Sequence, residues 1–220
     1  MINTLTDNWK KMGIIPTLFP GMMKPKNKEK LQTLLKYRKI LGVTPNNIDT
    51  VFVDDMSCLF YNMSEFNEPI GNWNTGNVTT MRAMFHSAEK FNQHIGDWDT
   101  GKVTNMHSMF YEASSFNKPL NKWNTENVYN MRHMFDGAIS FNHPLNNWNT
   151  GKVWNMGGMF SNAKLFKQPL NKWNTENVID MTYMFNRADS FQNSAECLKS
   201  LKNWNQGKVT DIDTMFNYLC

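Results

Sequence analysis

The sequence predicts an α/β repeat solenoid of about six to seven stacked coils, each with a short strand and a short helix, and its 25-residue periodicity carries that expectation. Phe60, Phe85, Phe110, Phe135, Phe160 and Phe185 are each 25 residues apart, and Phe66, Phe91, Phe116, Phe141, Phe166 and Phe191 keep the same step. So do Trp73, Trp98, Trp123, Trp148 and Trp173. A unit this short cannot bury its apolar face alone, so neighbouring copies must stack and share a core in which equivalent residues form columns.

Each element of the unit follows from local pattern. Met106, Met109, Phe110 and Ala113 fall at helical spacing, with Thr104 or Asn105 placed to cap the start, which predicts a helix of about two to three turns. "FNKPL" and its relatives are too short for a helix and alternate Phe inward with Asn outward, which predicts an extended segment. Pro69, Pro119, Pro144 and Pro169 remove a ladder donor there, so the sheet should be narrow. "WNTGK" or "WNTEN" then returns the chain. The step from Trp173 to Trp204 is 31, which places a six-residue insertion near 193–200, read as a bulged loop.

The repeats occupy residues 51–220, and residues 1–50 form a separate basic segment. Lys and Arg there outnumber Asp and Glu by six, whereas the repeats carry a net charge of −2. "KNKEKLQTLLKYRKILG" predicts an amphipathic helix with Leu31, Leu34, Leu35 and Leu41 on one face and Gly42 at its end. It is either a cap over the open core of the first repeat or an arm that docks on a partner. Ile14, Ile15, Leu18 and Phe19 are the candidate docking residues of the irregular stretch before it. At the other end Met215, Phe216 and Leu219 are expected to face outward and to invite a partner or another copy.

The joint pattern M-F-x-x-A-x-x-F-N with W-N-T-x-x-V resembles the BspA-like repeats, a branch of the leucine-rich-repeat solenoids found in bacterial surface proteins, mycoplasma lipoproteins, protists and large DNA viruses. The resemblance covers about residues 51–220. It implies a right-handed, leucine-rich-repeat-like stack with strands on one face and helices on another. It also implies a scaffold without shared catalytic residues.

Several functions are not expected from the residues. No run of 18 apolar residues exists to span a membrane, and the N-terminus lacks the pattern of a secretory signal. Cys58, Cys197 and Cys220 are odd in number and unrelated in repeat position, which suggests reduced thiols inside a cell or a virus particle. The heavy use of Asn and Lys separately suggests an AT-rich coding genome. The recurring M-x-x-M pairs read as core fillers and not as soft-metal ligands. His86, His94, His107, His133 and His143 occupy five different repeat positions, and no zinc spacing, phosphate loop or nucleophile elbow is present. No enzyme, cofactor or metal is expected.

The Asn columns, Asn67 to Asn142 and Asn74 to Asn205, are expected to satisfy turn backbone and one another between coils, with the Thr75 to Thr175 column assisting. Function should lie where copies differ. The candidate contact rows are Glu68, Gln93, Lys118, His143 and Gln168, and then Arg82, His107 and Arg132, joined by Tyr111, Tyr129, Trp154 and Tyr183. Their mixed chemistry favours a protein partner, possibly another subunit of an assembly, over nucleic acid. The functional expectation is therefore a non-enzymatic scaffold in a larger assembly such as a virus particle. The alternative is an adhesin-like recognition protein that binds an external protein.

Overall fold

The computed structural model describes residues 24–202, 204 and 213–216. The chain forms successive 25-residue units in register, joined by backbone hydrogen bonds between residues 24 and 25 apart. Among the described residues the sheet is reduced to one parallel bridge per unit, in the series Asp55, Thr80, Asn105, Asn130, Asn155 and Asp180.

The helix expected over Met106–Ala113 does not form. Ser108 and Glu112, four residues apart, both take positive φ, at 54° and 53°. A left-handed residue every fourth position breaks the i to i−4 ladder of an α-helix. What forms instead is a ribbon of overlapping turns. The N–H groups of Met106, Ser108, Phe110 and Glu112 donate to the next unit, at Asn130, Arg132, Met134 and Asp136, over 2.7–3.0 Å. Those of Met109, Tyr111 and Ala113 close local turns on the carbonyls of Met106, Ser108 and Phe110. Every N–H from Met106 to Ala113 except that of His107 thus has a backbone partner, and His107 donates to the Asn105 side chain at 2.9 Å. The same two left-handed positions recur throughout, at Cys58, Ala83, His133, Gly158 and Tyr183, and at Asn62, Ser87, Gly137, Asn162 and Arg187.

The apolar columns form the core. The Phe60 column stacks nearly parallel with centroids 5.4–5.8 Å apart, and the Phe66 column does so at 5.8–6.1 Å. Within a unit the two rings lie face to face at 3.9–4.2 Å, as Phe110 and Phe116 do at 4.1 Å. Offset stacking of this kind adds to the burial of the rings. Trp fills a third column for a polar reason: its Nε1–H donates to a buried carbonyl of the preceding unit, as Trp123 does to Ile95 at 3.0 Å and Trp148 to Leu120 at 3.0 Å. The same carbonyls close a local turn, as Ile95 does with the Trp98 N–H at 3.2 Å, so a Phe there would remove the one of their two bonds that joins the units.

The polar columns divide the work differently from expectation. Asn67, Asn92, Asn117 and Asn142 do bridge units, each accepting from a backbone N–H 25 residues on at 2.9–3.1 Å. The Asn74 column acts locally instead, capping the N–H two residues later, as Asn124 does for Glu126 at 3.0 Å. The Thr hydroxyls make the link between units: Thr50, Thr75, Thr100, Thr125 and Thr150 donate to a carbonyl 24 residues on at 2.8–2.9 Å. Thr125→Val keeps the shape but withdraws the donor from the Asn149 carbonyl. It should lower stability by about 1–2 kcal/mol in urea unfolding.

Helix α1 (Lys28–Leu41) forms where the sequence places it. Asn27 caps it by accepting from Lys30 N–H, and Gly42 ends it at φ 64°. Leu31, Leu34 and Leu35 are buried in the common core and Leu41 packs against it. Lys28 bonds Ser57 and Asp55, and Arg38 pairs with Glu68 at 2.5 Å, so α1 lies on the first units, where a cap would sit. The unit register starts earlier than residue 51. Pro45 supplies the carbonyl for Trp73 Nε1 at 2.8 Å, Ile48 is buried 25 residues before Trp73, and Thr50 begins the Thr column.

The insertion is helical and not a loose bulge. It comprises α2 (Asp189–Gln192) and α3 (Ala195–Ser200), with Ser194 capping α3 and Cys197 buried in the core. Trp204 still stacks on Trp173 at 6.1 Å and bonds the Leu170 carbonyl at 3.1 Å, so the column crosses the insertion unbroken. Of the candidate docking residues near the C-terminus, Met215 is buried and Phe216 stacks on Phe185 at 5.8 Å, continuing the core columns where outward-facing side chains were expected. Ile14, Ile15, Leu18, Phe19 and Leu219 lie outside the described residues.

Candidate functional site

The bridge column is a natural centre for a surface, because its backbone is the same in every unit while its flanks vary. Asn105, Asn130 and Asn155 accept from the N–H two residues on at 2.9–3.0 Å, which fixes the turn that follows. One residue before each bridge stand Thr79, Thr104, Tyr129, Trp154 and Ile179, and two residues after it Arg82, His107, Arg132, Gly157 and Thr182.

The first flank is tied by backbone bonds of 2.8–3.0 Å that run from Thr79 N–H to Asp54, and onward through Tyr129 and Trp154 to Ile179. Its side chains are free to differ. Tyr129 and Trp154 are each 40% exposed and Ile179 is 54% exposed, so three consecutive units present large apolar groups in one line. Ile179 is the member that reading by composition missed. Stepping 25 residues on from Trp154 finds it.

The second flank gathers Arg82, His107 and Arg132 on consecutive units. The two arginines are exposed, and among the described residues neither guanidinium has a hydrogen-bonding or ion-pair partner. His107 is half-buried, with Nδ1 shut from solvent and unpartnered and Nε2 3.4 Å from the Ser108 hydroxyl. Burial, and then the positive charges of Arg82, His133 and Arg132, hold its pKa down at about 4 against the contrary pull of the Arg132 backbone. His133 stands edge-on at 6.4 Å, its Nδ1 taken by Asp136 at 3.0 Å.

The other candidate row has a structural task. Gln93 bonds both the backbone and side-chain oxygens of Asn67 at 2.9 Å, Gln168 does the same to Asn142, and His143 meets the Asn117 carbonyl at 3.2 Å. Glu68 is held by Arg38. These side chains fasten unit to unit, which removes them from a free contact surface; Lys118, at the same position, is half-buried. Tyr111 joins a separate ring column with His86 and Tyr61, at centroid spacings of 4.5 and 4.4 Å. Tyr183 sits in the left-handed column at φ 58° and is half-buried, away from the Tyr129 line.

An open groove of about 610 Å³ beside Tyr111 carries Glu89, Glu112 and Asp136. Two of these carboxylates are engaged, Glu112 with Ser87 and Asp136 with His133 and Asn162. Among the described residues no group of three His, Cys, Asp or Glu is arranged to hold a metal ion. The M-x-x-M side chains are all buried in the core. No helix among the described residues is long and apolar enough to cross a membrane.

A register of 25 residues, aromatic columns and a cross-unit Thr and Asn scaffold define a repeat protein. A family model described as "Mycoplasma protein of unknown function, DUF285" matches it over residues 30–142, 93–197 and 119–219. The chain belongs to that family, the repeat family of BspA-like proteins. No curated protein and no solved structure matches it.

Proposed function

We propose that the chain is a right-handed, leucine-rich-repeat-like solenoid that works as a non-enzymatic protein-binding scaffold. Its partner meets the face that carries Tyr129, Trp154 and Ile179, and the whole serves as a component of a larger assembly such as a virus particle. The observation behind this reading is the line of three exposed apolar side chains, at a position that earlier units fill with Thr79 and Thr104. The core gains nothing from these groups. An exposed apolar line on a fixed frame is what a contact surface requires.

The test compares tagged full-length protein with the triple variant Tyr129→Ser, Trp154→Ser, Ile179→Thr, each purified from the native source. Mass spectrometry should find a fixed, stoichiometric set of structural proteins with the first and lose it with the second. Each of these exposed substitutions should change stability by less than about 1 kcal/mol, so loss of the set reports contact and not unfolding. The same proteins recovered with both would remove this face from the interaction. An empty list with both, from a monomeric protein, would favour adhesin-like recognition of a target outside the source cell.

A further inference from the structure

We propose that Arg82, His107 and Arg132 form a binding site for a dianionic oxyanion, a phosphate or sulfate group, held across three consecutive units. The geometry behind this begins with the backbone. The carbonyls of Arg82, His107 and Arg132 each accept from the left-handed residue of the preceding unit, Cys58, Ala83 and Ser108, at 2.8–2.9 Å. That fixes the three residues as cross-unit neighbours, at the ladder spacing of about 4.8 Å per step. Two arginines placed two steps apart, about 10 Å, can converge over the unit between them.

Among the described residues nothing answers their charge. Lys28, Arg38, Lys90 and Lys122 all have carboxylate partners, while Arg82 and Arg132 have none among the described residues. Their positive charges repel one another across the unit between them, and a planar guanidinium is the group best matched to a tetrahedral oxyanion. The residue between them adds an independent sign. His107 keeps a buried Nδ1 with no partner, an arrangement that costs free energy unless some state of the protein uses it. Asp136, the carboxylate that bonds His133, is already spent on that ring and on Asn162. The other charged neighbours, Arg82, Arg132 and His133, all oppose a proton on His107.

The consequence is a proton-linked site. Without the anion, His107 is neutral at pH 7, because its pKa lies near 4 in the folded protein and at 6.5 unfolded. A depressed histidine pKa means that the unfolded chain takes up the proton first, so stability is full above pH 6.5 and declines as pH falls toward 4. A dianion beside the ring favours the protonated form and lifts that pKa. By reciprocity, protonation tightens the anion.

Sulfate is the probe, since it stays a dianion throughout this pH range and any pH dependence belongs to the protein. The His107 imidazole signals of the full-length chain are followed by NMR while pH is varied, in sulfate and in chloride at equal ionic strength. Sulfate should raise the His107 pKa by about one unit, which corresponds to about tenfold tighter sulfate binding to the protonated form. The effect should vanish in Arg82→Gln/Arg132→Gln and weaken in the Lys pair, which keeps charge without the fork. Both substitutions are at exposed positions and leave the core untouched. O-phosphoserine, a dianion only above its second pKa of about 6, separates the sources when both probes are compared at about pH 7.5: backbone amide shifts at the site matching those of sulfate indicate a phosphate ester, and shifts with sulfate alone indicate a free ion. A sulfate response no larger than that of chloride, or one retained in the Gln pair, overturns the site. Neither result touches the protein-contact reading, which rests on Tyr129, Trp154 and Ile179.

Discussion

Phe135→Ala should destabilise the protein by about 4 kcal/mol and divide its unfolding into two transitions. Phe135 is completely buried and sits at the crossing of two sets of contacts. Along the stack it lies between Phe110 at 5.5 Å and Phe160 at 5.7 Å, and within its unit it faces Phe141 at 4.2 Å and Trp148 at 6.2 Å. Truncating a buried Phe costs about 3–5 kcal/mol through lost transfer and the cavity left behind, and aromatic pairs contribute about 0.5–1.5 kcal/mol beyond burial. The cavity cannot close easily, because the backbone on both sides is fixed by bonds such as Phe110 N–H to Met134 and Phe135 N–H to Met159, both 2.9 Å.

The division of the transition follows from one-dimensional coupling. Each unit touches only its neighbours, so weakening one unit weakens two interfaces and leaves the blocks before and after it nearly intact. Urea unfolding followed by Trp fluorescence should show the two steps, since Trp73 to Trp123 report the first block and Trp148 to Trp204 the second. Leu165→Ala, at a side chain 52% exposed, is the control and should change stability by less than about 0.5 kcal/mol. A single transition with a loss under about 2 kcal/mol would mean that the columns are not coupled as the contacts indicate.

The sequence was most informative where one residue type recurs for one reason. The Phe, Trp and Met columns are all core, and α1 begins and ends at the capping residues that its pattern supplies, Asn27 and Gly42. The helix expected over Met106–Ala113 failed because apolar spacing of three and four residues fits both an α-helix and a chain of turns. What separates them is backbone conformation. Ser108, Glu112 and His133 at positive φ are ordinary residues that give no glycine-like signal; only Gly137 and Gly158 mark those columns openly.

The candidate surface was half legible for a similar reason. Variation between copies pointed to Tyr129, Trp154, Arg82 and Arg132, which are exposed, but it equally selected Gln93, His143 and Gln168. Those three vary because any side chain that can reach the Asn67, Asn117 or Asn142 oxygens serves, so variation there reflects tolerance in a fastening role. The loneliness of His107 Nδ1 depends on what packs around the ring, and spacing carries no trace of it.

Gly158→Val should cost about 3 kcal/mol, from two causes that can be separated by experiment. The first is conformational. Gly158 has φ 62°, and although its equivalents Cys58, Ala83, Ser108, His133 and Tyr183 hold φ of 52–58° with a side chain, none of them is β-branched. A residue outside glycine pays about 1–2 kcal/mol in this region, and a β-branched one is a true outlier there. The second cause is steric. A Cβ at 158 would lie 2.3 Å from His133 Nδ1 and 2.5 Å from its Cε1, so the glycine is the floor on which that ring rests. The ring cannot simply swing away, because its Nδ1 is held by Asp136 at 3.0 Å. A double-mutant cycle with His133→Ala divides the terms. With the ring gone, Gly158→Val should cost about 1–2 kcal/mol less than in the wild-type background, and the remainder measures the left-handed backbone. Equal costs in both backgrounds would place the whole penalty in the backbone. The same array logic gives the variant a longer reach, since Gly158 follows Trp154 by four residues on the middle of the three units that form the exposed line. Loosening that turn should also weaken partner capture, while Leu165→Ala should not.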